Sequence, residues 1–578
     1  MGNPVESLTL EERIGQVFMF GFPGKDPADA HYLIRNFKPG GIIYFARNCG
    51  TVEETAALSA QLQEWARNSG PGIPLLIAAD QEGGVVARLT QGIHVMPGPM
   101  SLAAAVAGDD AQNDVQLIEE ASWATAIQLR CAGINLNAAP VLDVNDNPQN
   151  PVISIRSFGE RPEPVACYGV LAAEGLRRGG VIPTGKHFPG HGNTSVDSHL
   201  DLPVLPHPME RLNSCELVPF KKAIDAGIPA IMTAHIVFQA IDTEKPAALS
   251  GAVLRGLLRN TLGFQGVIMT DCLEMNAIAN HPGTARGAVE AFKAGCDLLL
   301  ISHTRRLQAQ AWAALLEAVQ SGEVSEDRLD ESVGRILNLK KMFGIPNPLP
   351  TEKAYDPRFE RLSRELHLRS ITLVKNERHL FPLALPEGRT VKLCLAATMP
   401  KRLLQVEDDP LRQGRGVAGS GPRTELGKSL LKLCDSLEID EFDMDEPDAL
   451  EACLASARQA DATVVLTQDA VKHPSQAVFA QGVIQAVPNA VLVAARSPYD
   501  ILAVPAAHTY LCTYSSRPEA MDALAHVLMG KRAPSGKLPV TIPGVSGSGD
   551  QVKLETEMWL RSVGPAGTDA HSPDQGRR

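Results

Sequence analysis

The densest run of chemically useful side chains is Lys186-His187-Phe188-Pro189-Gly190-His191-Gly192-Asn193-Thr194, continued by Asp197-Ser198-His199. Five ionisable residues fall within the fourteen positions 186–199. The glycines and the proline permit tight turns that can aim these side chains into one pocket. An imidazole beside a carboxylate is a proton-transfer device: it titrates near pH ~6.5 without burial, and a neighbouring Asp stabilises the imidazolium and fixes its tautomer. The same residues could hold a divalent cation through His187-x-x-x-His191 and a nearby carboxylate. That pairing converges on a helix, however, whereas Pro189 and Gly190 make this stretch a loop. The simplest alternative is a turn in which Asp197 and His199 bond to backbone alone.

A second candidate is Met269-Thr270-Asp271-Cys272-Leu273-Glu274-Met275, where an aspartate closes an apolar run. A buried carboxylate is costly without a partner or a purpose. The competing reading is an Asp that caps the following helix through its first amides.

The elements that must position these residues follow from the hydropathy pattern. Short runs rich in Val, Ile and Leu recur at 14–20, 41–46, 74–81, 135–144, 181–188, 230–238, 266–275 and 296–303. Amphipathic stretches at 51–68, 114–132, 164–178, 215–226 and 284–294 separate them, the pattern of repeated βα units. Eight such units predict a closed (β/α)₈ TIM-like barrel over residues 1–346. Asp80, Asp143, Lys186, His187, His235, Asp271 and His303 fall in or near the C-terminal ends of these runs, the rim on which such barrels carry their active sites.

The Pro-rich segment 347–357 reads as a linker. Beyond it, apolar runs at 391–397, 462–468, 490–496 and 508–514 alternate with helical segments at 426–437, 449–459, 476–487 and 518–529. They predict an open, largely parallel α/β sandwich domain over 358–566. The Gly-rich stretch 402–423 reads as a long loop. Gly414-x-Gly416 and Gly419-x-Gly421 lack the βα frame of a nucleotide site, and the polar tail 567–578 is expected to be disordered.

The chain has 578 residues and a net charge of −12, which opposes binding to nucleic acid or an anionic membrane. No basic segment followed by an apolar core opens the sequence, and no run reaches the ~18 apolar residues of a membrane span. Met1-Gly2 could suggest myristoylation, but Glu6 stands where that signal needs Ser or Thr. Ten cysteines without a CxxC pair suit reduced thiols in a cytoplasm. The expectation is a cytoplasmic protein acting on a neutral or weakly charged substrate, its oligomeric state unspecified.

Five strings, AADQEGGVVARL, APVLDVNDNPQNPVISIRSFG, KHFPGHGNT with DSH, MTAHIVF and IMTDCLEM, closely resemble glycoside hydrolase family 3, specifically its bacterial β-N-acetylglucosaminidases. SITLVKNE, AARSPYDI, YLCTYS and GKLPVTIPG resemble the second α/β domain of many members, so the resemblance spans nearly the whole chain. It implies that Asp271 is the nucleophile of a retaining mechanism, that His199 is the acid/base and that Asp197 orients it. It further implies sugar-binding roles for Asp80, Arg88, Arg156, Lys186 and His187. The substrate would be a small carbohydrate carrying β-linked N-acetylglucosamine, plausible in cell-wall fragments, with neither metal nor organic cofactor required.

Two positions depart from the family pattern: Asn193 replaces the Asp of GHGDT, and Cys272 replaces a frequent second Asp. Alternatives remain open at this stage. A family 3 β-glucosidase would take its acid/base carboxylate from the second domain, and a phosphorylase would substitute phosphate for water. A noncatalytic carbohydrate-binding protein would be expected to have lost Asp271 or His199, and both are present.

Overall fold

The computed structural model describes residues 4–107, 114–198, 200–383, 389–398, 424–446 and 448–545. The loop expected at 402–423 and the tail expected at 567–578 lie outside these residues.

Among the described residues, eight short strands form one parallel sheet: β1 (Phe18–Phe20), β2 (Gly41–Tyr44), β3 (Leu76–Ala79), β4 (Leu136–Asn137), β5 (Ile182–Phe188), β6 (Ala230–Thr233), β7 (Val267–Thr270) and β8 (Leu299–Ile301). Their order is β7-β6-β5-β4-β3-β2-β1-β8. Met269 bridges Leu298, and the Leu300 amide donates to Thr270 Oγ1 at 3.0 Å, so the first and last strands in this order meet and close a barrel. Each strand lies within one of the apolar runs read from the sequence. The runs are continuously apolar because both faces of every strand are covered, by barrel interior and by helices. The run at 14–20 is the exception: its first residues belong to the helix Leu10–Gln16, which Thr9 and Glu12 start with a reciprocal capping box.

The intervening helices include Val52–Asn68, Gln116–Cys131, Pro162–Arg178, Leu217–Asp225 and Thr284–Ala294. Val52–Asn68 again begins with a capping box, Thr51 with Glu54. The Ala252–Thr261 segment, after β6, winds as a π-helix. No described helix is long and apolar enough to cross a membrane.

A second sheet has β9 (Thr372–Asn376), β10 (Val391–Ala397), β11 (Leu437–Asp443), β12 (Ala462–Thr467), β13 (Val491–Ala494) and β14 (Thr509–Cys512). Its order is β9-β14-β13-β12-β10-β11, with β9 antiparallel to its neighbour and the other pairs parallel. The four central strands match the expected runs; the two edge strands fall outside them. The helix expected over 426–437 is Glu425–Leu433, and Leu437 instead opens β11.

The two halves share an apolar cluster. Val85, Val86, Met100, Ala104 and Ile155 pack with Tyr499, Tyr510, Tyr514, Val540 and Ile542. Polar ties flank it: Thr541 N donates to Glu160 Oε2 at 2.8 Å, and Lys537 N to Ala104 O at 3.1 Å. The first-half partners come from the segments after β3 and β4, including the helix Pro99–Val106, so the second half is packed against the rim that carries the candidate residues.

Candidate active site

Asp80 follows β3 directly and its carboxylate is gripped from two sides, by Lys186 Nζ at 2.8 Å and Arg88 Nη2 at 3.1 Å. Lys186 Nζ also contacts Glu82 Oε1 at 2.7 Å. Glu82 in turn receives Arg156 through paired bonds of 2.9 and 2.8 Å. This fork-to-fork geometry fixes the guanidinium plane as well as its charge. Burial works against ionisation of both carboxyls, but the cations outweigh it: Glu82 is held at about 2 and Asp80 well below the ordinary carboxylate range. Three cations face two carboxylates, which leaves the cluster with one positive charge.

The side chains of Lys186, Arg88 and Arg156 are only 2–3% exposed, against 14% for Asp80. Lys186 donates to Asp80 and contacts Glu82, Arg156 donates to Glu82 and Arg88 donates to Asp80, so the Asp80 carboxylate is the most exposed part of the cluster. Glu82, not singled out from the sequence, is the hub of this network.

In the segment after β4, Asp143 is fully buried and organises both histidines of the long motif. Its Oδ2 lies 2.7 Å from His187 Nδ1, and its Oδ1 accepts the backbone amides of His187 at 3.1 Å and His191 at 2.7 Å. Burial alone would raise the Asp143 carboxyl, yet His187 pulls it below its ordinary value. His191 is engaged at both ring nitrogens, with Thr194 Oγ1 at 2.9 Å and Ser198 Oγ at 3.0 Å. Burial pushes its imidazole down to about 4, so at neutral pH it is an uncharged bridge between hydroxyls. These contacts account for the spacing that suggested a metal pair: the two rings serve the loop.

Gly192 lets that loop lie directly on the strand-4 side, because a Cβ there would overlap the Val144 carbonyl. Asn193 Nδ2 donates to Asp146 Oδ1 at 2.5 Å, and Asn193 Oδ1 is 2.9 Å from His207 Nε2. Asp197, half-buried, accepts the amides of Leu200 and Asp201 at its carbonyl, 2.9 and 3.0 Å away. His199 lies outside the described residues.

Asp271 is the first residue beyond β7, and its Oδ1 accepts the Cys272 amide at 2.7 Å. The turn is fixed by its neighbours. His235 Nε2 lies 3.1 Å from Cys272 O, and Glu274 Oε2 accepts the amides of Ser302 and His303 at 2.8 and 2.6 Å. Burial and the Glu274 charge push the Cys272 thiol up to about 12, so it is an unreactive packing group. Ala277 N donates to Ser198 O at 3.4 Å, which brings the Asp197-Ser198 loop against the segment that follows Asp271. A carboxylate at a strand end, a loop carrying Asp197 held beside the segment that follows it, and a buried carboxylate-cation cluster on the same rim form an arrangement suited to binding a small neutral polar ligand.

"Glycosyl hydrolase family 3 N terminal domain" matches residues 9–339, and "Glycosyl hydrolase family 3 C-terminal domain" matches residues 371–565. The chain is 32% identical to beta-hexosaminidase A of Pseudoalteromonas piscicida, over 93% of this chain and 97% of that one. It is 28% identical to a beta-N-acetylglucosaminidase/beta-glucosidase of Cellulomonas fimi, over 92% and 93%. The solved structure of a family 3 beta-N-acetylglucosaminidase from Paenibacillus sp. str. FPU-7 superposes with a TM-score of 0.84 at 39% identity, covering 93% of this chain and all of that one.

Proposed function

The chain belongs to glycosyl hydrolase family 3, and from that premise we propose that it is a retaining exo-β-N-acetylglucosaminidase. Asp271 attacks the anomeric carbon while His199 protonates the departing oxygen, giving a covalent glycosyl-enzyme and the released aglycone. His199 then takes a proton from water, the water oxygen attacks the same carbon, and Asp271 leaves with its electron pair. Two inversions retain the configuration. Asp197 orients His199 and stabilises its imidazolium. Asp80 accepts sugar hydroxyl protons, held in place by Lys186 and Arg88, while Arg156 and His187 complete the cradle.

The observation that carries this reading is the Ala277 N to Ser198 O bond. It joins the proton-transfer loop to the segment after the nucleophile, within one chain half. This proximity supports an acid/base drawn from the first half, as in the N-acetylglucosaminidase, over a carboxylate from the second half, as in a β-glucosidase. We further propose short cell-wall fragments in the cytoplasm as the substrate source. All ten cysteines are free thiols, which supports a reducing compartment.

Nitrophenyl β-N-acetylglucosaminide and β-glucoside, assayed with wild type, Asp271→Ala and His199→Ala at varied phosphate, test the proposal. Wild type is expected to prefer the N-acetyl sugar. Asp271→Ala is expected to lose about a thousandfold or more, and His199→Ala about a hundredfold or more. Activity that survives Asp271→Ala overturns the nucleophile assignment, and sugar 1-phosphate formation redirects the reaction to phosphorolysis.

A further inference from the structure

The proton-transfer loop is anchored by a residue from the opposite half of the molecule. Lys472 ends the 3₁₀ turn Ala470–Lys472 that follows β12. The turn starts from Asp469, whose φ of 57° is left-handed. Asp469 is locked there from inside the second half: its carboxylate accepts Arg496 Nε at 2.8 Å and Ser497 N at 3.3 Å, and its carbonyl accepts Lys472 N at 2.8 Å. From this anchor Lys472 Nζ crosses to the barrel and donates to Asn150 O at 2.7 Å.

Asn150 passes the constraint on. It is fully buried, and its Nδ2 donates to His191 O at 2.9 Å and Thr194 Oγ1 at 3.4 Å, while its Oδ1 accepts the amides of Val152 and Ile153. Thr194 and Ser198 are then joined through the His191 ring, and Ser198 is the neighbour of Asp197. Asn150 lies on a loop with no strand or helix to hold it, so a brace from outside the barrel has mechanical consequence. Burial, with Arg496 adding to it, lowers the Lys472 pKa, while the carboxylates of Asp469 and Asp197 oppose it through space.

We propose that Lys472 is a positioning residue for glycoside cleavage, by which the second half of the chain sets the placement of the Asp197-Ser198 loop relative to Asp271. The inference rests on the function proposed above. A loop displaced by an ångström loses proton transfer more than it loses nucleophilic attack, since the nucleophile is held by β7 and Glu274.

The full-length chain with Lys472→Met and Lys472→Arg is assayed on two substrates. Diacetylchitobiose has a basic leaving group that needs a proton, whereas the nitrophenyl glycoside departs with little help. Lys472→Met is expected to lower kcat/KM on the disaccharide about tenfold or more and on the aryl glycoside at most about threefold. Lys472→Arg, which keeps a long charged donor, is expected to retain most activity on both. Amide exchange of residues 190–198 is expected to quicken in Lys472→Met while β5 and β7 stay protected. Equal losses on both substrates, or unchanged rates and exchange, overturn the proposal. Should Lys472→Met not fold, Lys472→Leu, which also removes the donor, carries the same comparison. If wild type cleaves neither sugar, the functional reading fails, and the exchange measurement still decides whether Lys472 braces the loop.

Discussion

Asn193 and Asp146 tie the loop after β5 to the loop after β4 by an amide-to-carboxylate bond of 2.5 Å. Asp146 is also paired with Arg211, which binds Glu216 at 3.1 Å. The family's usual Asp at this position would set two carboxylates against each other here. The departure from GHGDT is therefore matched to its surroundings. Asn193→Asp is expected to be tolerated in mild acid, where the pair shares a proton, and to lose activity as pH rises and both ionise. The ratio of mutant to wild-type kcat/KM, followed across pH, should fall toward alkaline pH; a flat ratio would mean the bond does not hold the loop.

Glu82 neutralises Arg156 and Lys186 in a space with almost no solvent. Glu82→Gln keeps the shape and removes the charge, leaving the three buried cations Lys186, Arg88 and Arg156 with Asp80 as the cluster's one carboxylate. Breaking one side of such a buried pair costs roughly 3–5 kcal/mol. Denaturant unfolding should register a loss of that order, together with a raised KM as Asp80 loses its fixed orientation. Little change in either would show that solvent reaches the cluster and screens it.

Asp143 has a pH signature. Its carboxyl titrates below its ordinary value because of His187, against the effect of burial. A depressed folded pKa adds stability above the unfolded value of ~3.9, and that stability is lost as pH falls through the folded pKa. Asp143→Asn is accordingly expected to be destabilised at pH 7, with the gap to wild type closing in strong acid. Its kcat/KM should fall about tenfold to a hundredfold as His187 and the His191 backbone lose their common acceptor. Melting temperatures of both proteins at neutral and acid pH check the sign: a gap that widens in acid refutes it.

The barrel was legible because each strand is covered on two faces, so every one leaves a continuous apolar run, and the helices between them show their own period. The rim positions followed from where polar residues end those runs. The strand Leu437–Asp443 was hidden: at a sheet edge it reads Leu-Glu-Ile-Asp-Glu-Phe-Asp, a half-exposed alternation, and the preceding helix was carried into it. The partnerships within the site were not legible. Glu82 meets Arg156 across 74 positions, Asp143 meets His187 across 44, and Lys472 reaches Asn150 across 322. Spacing says nothing about such pairs, which exist only once the barrel has closed and the second sheet has packed on its rim. The roles proposed for Asp271 and His199 rest on family resemblance, since a strand-end aspartate or a loop histidine has bland uses as well.

Asp500, in the 3₁₀ turn Pro498–Leu502 of the second half, is fully buried beside the Asp469 that anchors Lys472. Burial first, and the Asp469 charge second, push its carboxyl up to about 7, with the Thr467 hydroxyl and the amides of Ala470 and Val471 offsetting only part. An acid whose folded pKa lies above its unfolded ~3.9 keeps its proton in the fold after the unfolded chain has released it. Stability from this site therefore declines as pH rises from about 4 and levels off above the folded pKa, opposite to Asp143. Asp500→Asn makes the neutral state permanent. It is expected to match wild type near pH 4 and to exceed it at pH 8 by on the order of 2–4 kcal/mol. Urea unfolding at the two pH values decides the matter: a mutant less stable at pH 8 would mean that Asp500 is ionised and paired, and that the Lys472 turn rests on a charge rather than on a proton.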